Sequence, residues 1–532
     1  MANLAANSWP VKLIELGTLA GYVSPQYASG IPDPPPGQYF HEFVGDIYSP
    51  PPPVFTPIQA SFDTRKIYLS HELGDNNFNG LAPTPQGGNV GPKKTADAAF
   101  SLMRQGYPDH VLIRRGEIES GRPKWWDIRH FSVANVTRGG RSDVERSVIG
   151  WYGTGHKPRI AAPQWGSGKS FINVIGLHIY TPTGVIGDPA FNASCETFSL
   201  LNGPSGILIE DCWVSASEIT AQNQQSLNMQ NIAIRYCNLI DPVFYKQSAT
   251  NNSSRPSFVY SSNIKNLLIE GCIIAYPGWH PEVVPNYGGD STITGAASNM
   301  FNHGLYIAEN NVHEGPKVMR NLIYKPSANG WQLRSGGVAM DNIVYGASVA
   351  SGTGYYDRGD PLKGLMNDGR LHRIVRNVLL NTEPMYRMLG GCAGPVCTGA
   401  IWGLDVGVNN FKAVYELLDN VVAGKNLDVP GSPPSINTNA KTVKTFIRSG
   451  DMGAVVRERN NALWHFDNST QGDDQGYLDP TRSISSAMLA LNGVSMTDEQ
   501  AMRVLALRDT YAYHSKSTVL SFNEHIRQGF QR

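Results

Sequence analysis

Short apolar runs recur along most of this 532-residue chain, and they share a frame: an apolar residue, two free positions, Cys or Asn, then two apolar residues. It fits ILIEDCWV at Cys212, LLIEGCII at Cys272, VMRNLI at Asn321, AMDNIV at Asn342, IVRNVL at Asn377 and LLDNVV at Asn420, with a looser copy, IAIRYCNL, at Cys237. Successive copies are separated by 25, 35, 49, 21, 35 and 43 residues. A helical repeat would keep a fixed length and a 3.6-residue period, whereas here short strands recur and the spacers vary. Stacked β-coils allow this, because insertions fall in loops and leave the inward face intact. At the shared position Asn bonds a turn and Cys fills a small inward site, so both are read as structural.

The pattern divides the chain. Residues 65–144 predict an N-terminal cap and first rungs: a strand over Ile67 to Ser70, an Asp/Asn/Gly turn, a helix from about Thr95 to Arg104 that closes the open end of the stack, and a second strand, VLIRRG. Residues 145–480 predict the coil with inserted loops. Residues 481–532 predict helices that cap the far end or form a subunit contact, one of them opened by a Thr497-x-x-Gln500 capping box. Residues 1–64 carry two proline runs, IPDPPPGQYF and IYSPPPPVF, which favour extended geometry and cannot sit inside a sheet. They are read as an arm that attaches to a partner.

Composition narrows the function. Gly at 55 and Pro at 35 fit many turns and short strands, so the chain is expected to be all-β. Lys plus Arg and Asp plus Glu balance at 44 each, leaving no basic field for nucleic acid. No apolar run is long enough for membrane insertion, and the first residues lack the basic start and apolar stretch of a secretion signal. Cys195, Cys212, Cys237 and Cys272 lie in apolar contexts, while Cys392 and Cys397 in GGCAGPVCTG form either a small disulfide loop or two free thiols.

Together with GDNNFNGLAPT, TADAAFSLM, DHVLIRRGE, NHGLYIAEN and NGWQLRSGGVAMDNIVYG, these features resemble the right-handed parallel β-helix, pectate-lyase-like superfamily across roughly residues 65 to 470. That group includes polysaccharide lyases, glycoside hydrolases, epimerases and bacteriophage tailspikes. The resemblance implies a single-stranded right-handed parallel β-helix. The proline-rich arm makes it most like a virion-attached tailspike, with bacterial surface polysaccharide as ligand, other virion proteins as partners of residues 1–64, a homotrimeric assembly and a location on the particle. A non-enzymatic spike and a free bacterial lyase are the alternatives.

Chemistry is expected around NHGLYIAEN, residues 302 to 310, where a histidine, a tyrosine and a glutamate that the other rungs do not share enter the repeated strand frame. Alternation puts Leu305 and Ile307 in the core and Gly304, Tyr306 and Ala308 outside, the small residues leaving room for a sugar. The candidate catalytic residues are His303, Tyr306, Glu309, Lys317 and Arg334. In a lyase, Arg334 or Lys317 neutralises a uronate carboxylate and His303 or Tyr306 moves the proton. Trp331 and Gln332 of NGWQLRSGG, and Trp279, His280 and Tyr287 of PGWHPEVVPNYGGD, are the candidate substrate contacts. A hydrolase would use carboxylates instead, Glu309 with Glu314 or Asp357 with Asp360. No cofactor or metal is expected: WGSGKS lacks the first glycine of a phosphate loop, and GDNNFNG lacks the closing glutamate of a calcium loop.

Overall fold

A computed structural model describes residues 61–128, 139–165, 169–184, 190, 196–201, 203–215, 217–222, 229–241, 257–277, 303–308, 316–326, 328–334, 337–347, 349–353, 371–382, 401–406, 414–424, 444–448, 455–464, 482–507 and 519–530. The arm, the Cys392/Cys397 turn and residues 166–168 of WGSGKS lie outside these.

The chain winds into a right-handed parallel β-helix with three faces. The first is a sheet of twelve parallel strands, from Lys66–Leu69 to Val455–Arg459; the second has eleven, from Trp125–Trp126 to Ala462–Trp464; the third has nine, from Gln164–Trp165 to Lys444–Arg448. Each strand pairs with those one coil before and after it, so every side chain stacks on its counterpart: Ile209 pairs with Val174 and Ile234, and Ile234 with Ile269. The coil is right-handed in keeping with the crossover rule for parallel strands.

Ile, Leu and Val fill the interior in one continuous core from Ile67 to Val422. At its N-terminal end a short helix packs on this core. The helix α1, Ala96–Phe100, is capped by the Thr95 side chain, and its Ala99 and Phe100 join Met103 in the same core as Ile67 and Leu69. Side-chain oxygens of GDNNFNG accept backbone N–H groups: Asp75 from Asn77, Asn79 from Leu81, and Asn76 from Lys94 and Thr95.

The recurrent Cys/Asn position is the corner between the first and second faces. That corner is two residues long, as in Glu210–Trp213, Arg235–Asn238, Glu270–Ile273, Met340–Ile343 and Leu418–Val421. Its first residue holds a left-handed φ: 54° at Asp211, 52° at Tyr236, 66° at Gly271, 57° at Arg320, Asp341 and Asp419, and 54° at Arg376. Such angles are unfavourable for non-glycine residues and need support from the surroundings. The second residue supplies it. Asn321, Asn342, Asn377, Asn420 and also Asn461, which the sequence frame omits, form a ladder in which each Oδ1 accepts the N–H of the corner one coil earlier at 2.9–3.0 Å. Each Nδ2 reaches a carbonyl of the preceding coil at 2.8–3.0 Å. Cys212, Cys237 and Cys272 continue the column, their sulfurs 3.5–3.7 Å from the equivalent carbonyls.

The C-terminal helices correct one expectation. α2 (Ile484–Asn492), α3 (Asp498–Leu507) and α4 (Val519–Gly529) do not stack on the last coil but lie along the outside of the second face. There Ala487, Met488, Met502, Phe522 and Ile526 cover Ile273, Leu322, Ile343, Val378 and Val421, which point outward from that sheet. Asn523 donates to the carbonyls of Asn342 and Arg376, and Arg527 to that of Asp419, so α4 is fastened to three successive corners. The physical reason is in the sheet: its outer side is apolar from Ile273 onward, and α2 to α4 remove that stripe from water. The Thr497/Gln500 capping box forms, with reciprocal bonds of 2.9 and 3.2 Å. No described helix is long and apolar enough to cross a membrane.

Candidate functional site

From Ile175–His178 onward each described first-to-second corner is two residues long, whereas Arg114 to Trp125 and Tyr152 to Arg159 are longer; the corners on either side of the third face take the longest insertions. From Ala275 to Leu305, Thr382 to Ile401 and Gly424 to Lys444 the chain passes from second face to third, and from Ile307 to Lys317 and Thr353 to Leu371 from third face to first. The long insertions therefore flank the third face, the face that bears NHGLYIAEN. Loops placed along both edges of a rigid sheet are where binding residues concentrate.

Strand Leu305–Ile307 pairs with Val259–Ser262 before it and Asn329–Leu333 after it. Leu305 and Ile307 are fully buried in the core, and Tyr306, half-buried, points outward. Registers place Thr220, Tyr260, Tyr306, Gln332 and Gly352 in one outward column, one residue per coil, and the backbone register continues it to Asp405. Side chains in the column touch. The Tyr260 and Tyr306 rings lie 5.1 Å apart at 36°, and the Arg334 guanidinium sits 5.1 Å from the Tyr306 centroid. Because Tyr260 comes from the preceding coil and Arg334 from the following one, both faces of the Tyr306 ring are covered. Arg334 Nε donates to Gln332 Oε1 at 3.1 Å, which fixes the plane of the guanidinium. The His303 ring, 5% exposed, lies 5.4 Å from that of Tyr306 and supports it from behind.

The structure thus brings His303, Tyr306, Gln332 and Arg334 together. Trp331 is a correction: it is 0% exposed, packs in the coil interior, and stacks in register on Leu305, so it cannot touch a ligand. One alternation rule governs both neighbours, since a strand that turns Gln332 outward must turn Trp331 inward. Gly304 is a second correction. A Cβ there would meet the Gly330 carbonyl and come within 2.8 Å of the Ile323 side chain, which belongs to the core. Its small size lets coils approach at a corner and leaves no space for sugar. Lys317 begins a strand of the first face, beside Leu268 and Val338, and so does not share the third-face column. Glu309, Trp279, His280 and Tyr287, like Glu314, Asp357 and Asp360, lie outside the described residues.

Sequence reasoning missed Tyr260. Aligning VYSS with LYIA was the available signal, as both set a tyrosine between inward-facing residues. It also missed Glu218 and Thr220 one coil earlier, where the Thr220 hydroxyl donates to Glu218 Oε1 at 2.9 Å on the outer side of Ser217–Gln222. Among the described residues no three His, Cys, Asp or Glu side chains gather as metal ligands would.

No protein-family profile and no curated protein sequence matches the chain. Among solved structures, a rhamnogalacturonan lyase matches with TM-score 0.38 and 12% identity over 80% of this chain and 92% of its own. A GH136 lacto-N-biosidase from Eubacterium ramulus matches with TM-score 0.34 and 12% identity over 75% and 67%, and pectate lyase Pel9A with TM-score 0.28 and 12% identity over 83% and 87%. These likenesses are loose, and the fold stands on the three parallel sheets and the corner ladder.

Proposed function

We propose that this chain binds and cleaves an acidic bacterial surface polysaccharide on the outer side of its third face. The observation that carries the reading is the outward stack of Tyr260, Tyr306 and Arg334, backed by His303, on the face whose two edges receive the long insertions. A guanidinium held in plane by Gln332 suits bidentate pairing with a uronate carboxylate. Pairing withdraws charge from that carboxylate and makes the adjacent C–H acidic. As the phenolate, the Tyr306 oxygen takes this proton; the electron pair forms a C=C bond as the glycosidic C–O bond breaks, and the proton passes from the Tyr306 hydroxyl to the departing oxygen, restoring the phenolate. His303 holds the Tyr306 ring in place.

The test is incubation of the full chain with a panel of acidic exopolysaccharides and lipopolysaccharides, following fragment size and the ultraviolet absorbance of the unsaturated uronate. Fragments with new absorbance, lost in Tyr306→Phe and Arg334→Ala, are expected. Fragments without absorbance would indicate a hydrolase, and binding without fragments a non-enzymatic spike. Cleavage untouched by both substitutions would overturn the site.

The same proposal includes a virion setting: residues 1–64 attach to other proteins of a phage particle, and the chain acts as a homotrimer. Its support is the pair of proline runs ahead of the coil. Deleting residues 1–64 is expected to abolish incorporation into particles while cleavage persists, and sedimentation of the full chain at trimer mass is the accompanying measurement. Incorporation of the truncated chain would refute the anchor.

A further inference from the structure

The outer side of the first face is buried along a stretch that no described element covers. Registers set Val148, Asn173, Leu208, Ala233 and Leu268 in one outward column, one residue per coil, while their strand neighbours Ile149, Val174, Ile209, Ile234 and Ile269 point into the core. Further on the same column is open to water: Lys317 and Val338 are half-buried and Arg373 is exposed. From Val148 to Leu268, by contrast, exposure is 0–4%. The apolar cluster of Val148, Ile175, Leu208, Ala233 and Leu268, with Met319 against it, is drawn entirely from strands of this sheet. The helices α2 to α4 lie on the second face, and the described loop before Ser147 borders the entry edge, where Asp143 accepts from Asn231 Nδ2 at 2.9 Å.

Asn173 shows what the cover must supply. It is fully buried between Val148 and Leu208, and neither its Oδ1 nor its Nδ2 has a hydrogen-bond partner among the described residues. A buried amide is normally bonded, so the covering group brings both a carbonyl and an N–H to this point, as an extended peptide does. The described chain starts beside it. Ser61 donates to Glu145, and Asp63 pairs with Arg141 at 2.6 Å, just ahead of strand Ser147–Tyr152. Before Ser61 the sequence reads SPPPPVFTPIQA. Coils stack about 4.8 Å apart, so the column from Val148 to Leu268 is roughly 19 Å long, or about six residues of extended chain.

We infer that residues 50–58 of the chain's own arm lie along the outer side of the first face, from Val148 to Leu268. The run Pro50 to Pro53 is already extended and has no N–H to bury, so docking it costs little chain entropy. A carbonyl of the segment accepts from Asn173 Nδ2, an N–H among Val54, Phe55, Thr56 and Ile58 donates to Asn173 Oδ1, and Val54, Phe55 and Ile58 supply the apolar cover. The inference is independent of the polysaccharide reading, and it leaves the residues before Pro50 for attachment elsewhere.

Hydroxyl-radical footprinting of the full chain, read by mass spectrometry at Leu208 and Leu268, tests it, with the half-buried Val338 as the reference for an uncovered position. In the unaltered chain Leu208 and Leu268 are expected to be labelled well below Val338. Changing Pro50, Pro51, Pro52 and Pro53 to serine together with Phe55→Ser should raise both to the level of Val338, while Ile209 in the core stays unlabelled because the coil is untouched. Labelling of Leu208 and Leu268 at the level of Val338 in the unaltered chain would show an open face and overturn the inference. Protection that survives the substitutions would assign the cover to another segment, and protection that fades on dilution would assign it to a second copy; either overturns it.

Discussion

Replacing Asn342 with alanine measures how much the corner ladder contributes. Asn342 Oδ1 accepts from the Asn321 backbone N–H at 2.9 Å and from Asn321 Nδ2 at 3.0 Å, and its Nδ2 donates to the Val318 carbonyl and to Asn377 Oδ1, each at 2.9 Å. The four losses are unequal. Asn321 Nδ2 keeps the Ile269 carbonyl, and Asn377 Oδ1 keeps the Asn342 backbone N–H, which alanine retains. The Asn321 N–H, on a fully buried residue, loses its side-chain acceptor. An orphaned buried donor costs about 1–3 kcal/mol and each of the three other lost bonds about 0.5–1.5, so Asn342→Ala should destabilise by about 2.5–7.5 kcal/mol. Asn342→Cys should cost clearly less. The same column accepts sulfur at Cys212, Cys237 and Cys272, where the thiol reaches the carbonyl that Nδ2 would have bonded. The assay is urea unfolding followed by circular dichroism, or unfolding rates if refolding is incomplete. Alanine within about 0.5 kcal/mol of the unaltered chain, the range of an ordinary surface change, or cysteine no better than alanine, would refute the ladder as a source of stability.

Two further outcomes follow from the structure. Burial raises the Asp109 carboxyl, but the Arg104 side chain and the backbone N–H groups of Arg104 and Arg65 outweigh it and hold the group below its ordinary value of 3.8. A depressed folded value means the stabilisation is complete above the ordinary value and disappears as pH falls below it. Acid titration of unfolding should show this loss, and Asp109→Asn should remove that component; an unchanged acid limb in the variant would count against it. Gly304→Ala should destabilise by about 1–3 kcal/mol, the cost of overpacking, because the new methyl meets the Gly330 carbonyl and Ile323. A melting temperature equal to that of the unaltered chain would return Gly304 to the outer surface.

The coil was legible because its constraint is local and repeated. A two-residue corner with a left-handed first position needs the same second residue in turn after turn, so Asn and Cys mark it in the sequence. The frame missed Asn461 because Glu458 replaces the apolar residue that precedes the ladder position elsewhere, Leu417 in the coil before. Positions fixed by the contact between coils were harder to read. Trp331 and Gln332 are neighbours of opposite fate, and only the pairing with Leu305 and Tyr306 decides which is core. The lateral packing of α2 to α4 was hidden for a similar reason. Ile273, Leu322 and Ile343 belong to the same apolar runs as the interior residues beside them, so nothing local reveals that they face a helix instead of the core.

The three faces differ in what their outer sides are used for, and the difference gives the third face its interest. On the second, α2 to α4 cover the outward residues from Ile273 onward. On the first, the outward column at Glu210, Arg235 and Glu270 is a buried chain of ion pairs, Arg235 bonding Glu210 at 3.1 Å and Glu270 at 3.0 Å and Arg320 bonding Glu270 at 3.1 Å. Charges so paired and buried are committed to one another, and removing one leaves its partner uncompensated. The third face carries half-buried Tyr260, Tyr306 and Arg334 outward, with their rings and guanidinium stacked along the coil axis. Stacking fixes their orientation at little cost in side-chain freedom. This row at the coil repeat is the feature on which the proposed binding of an extended polysaccharide rests.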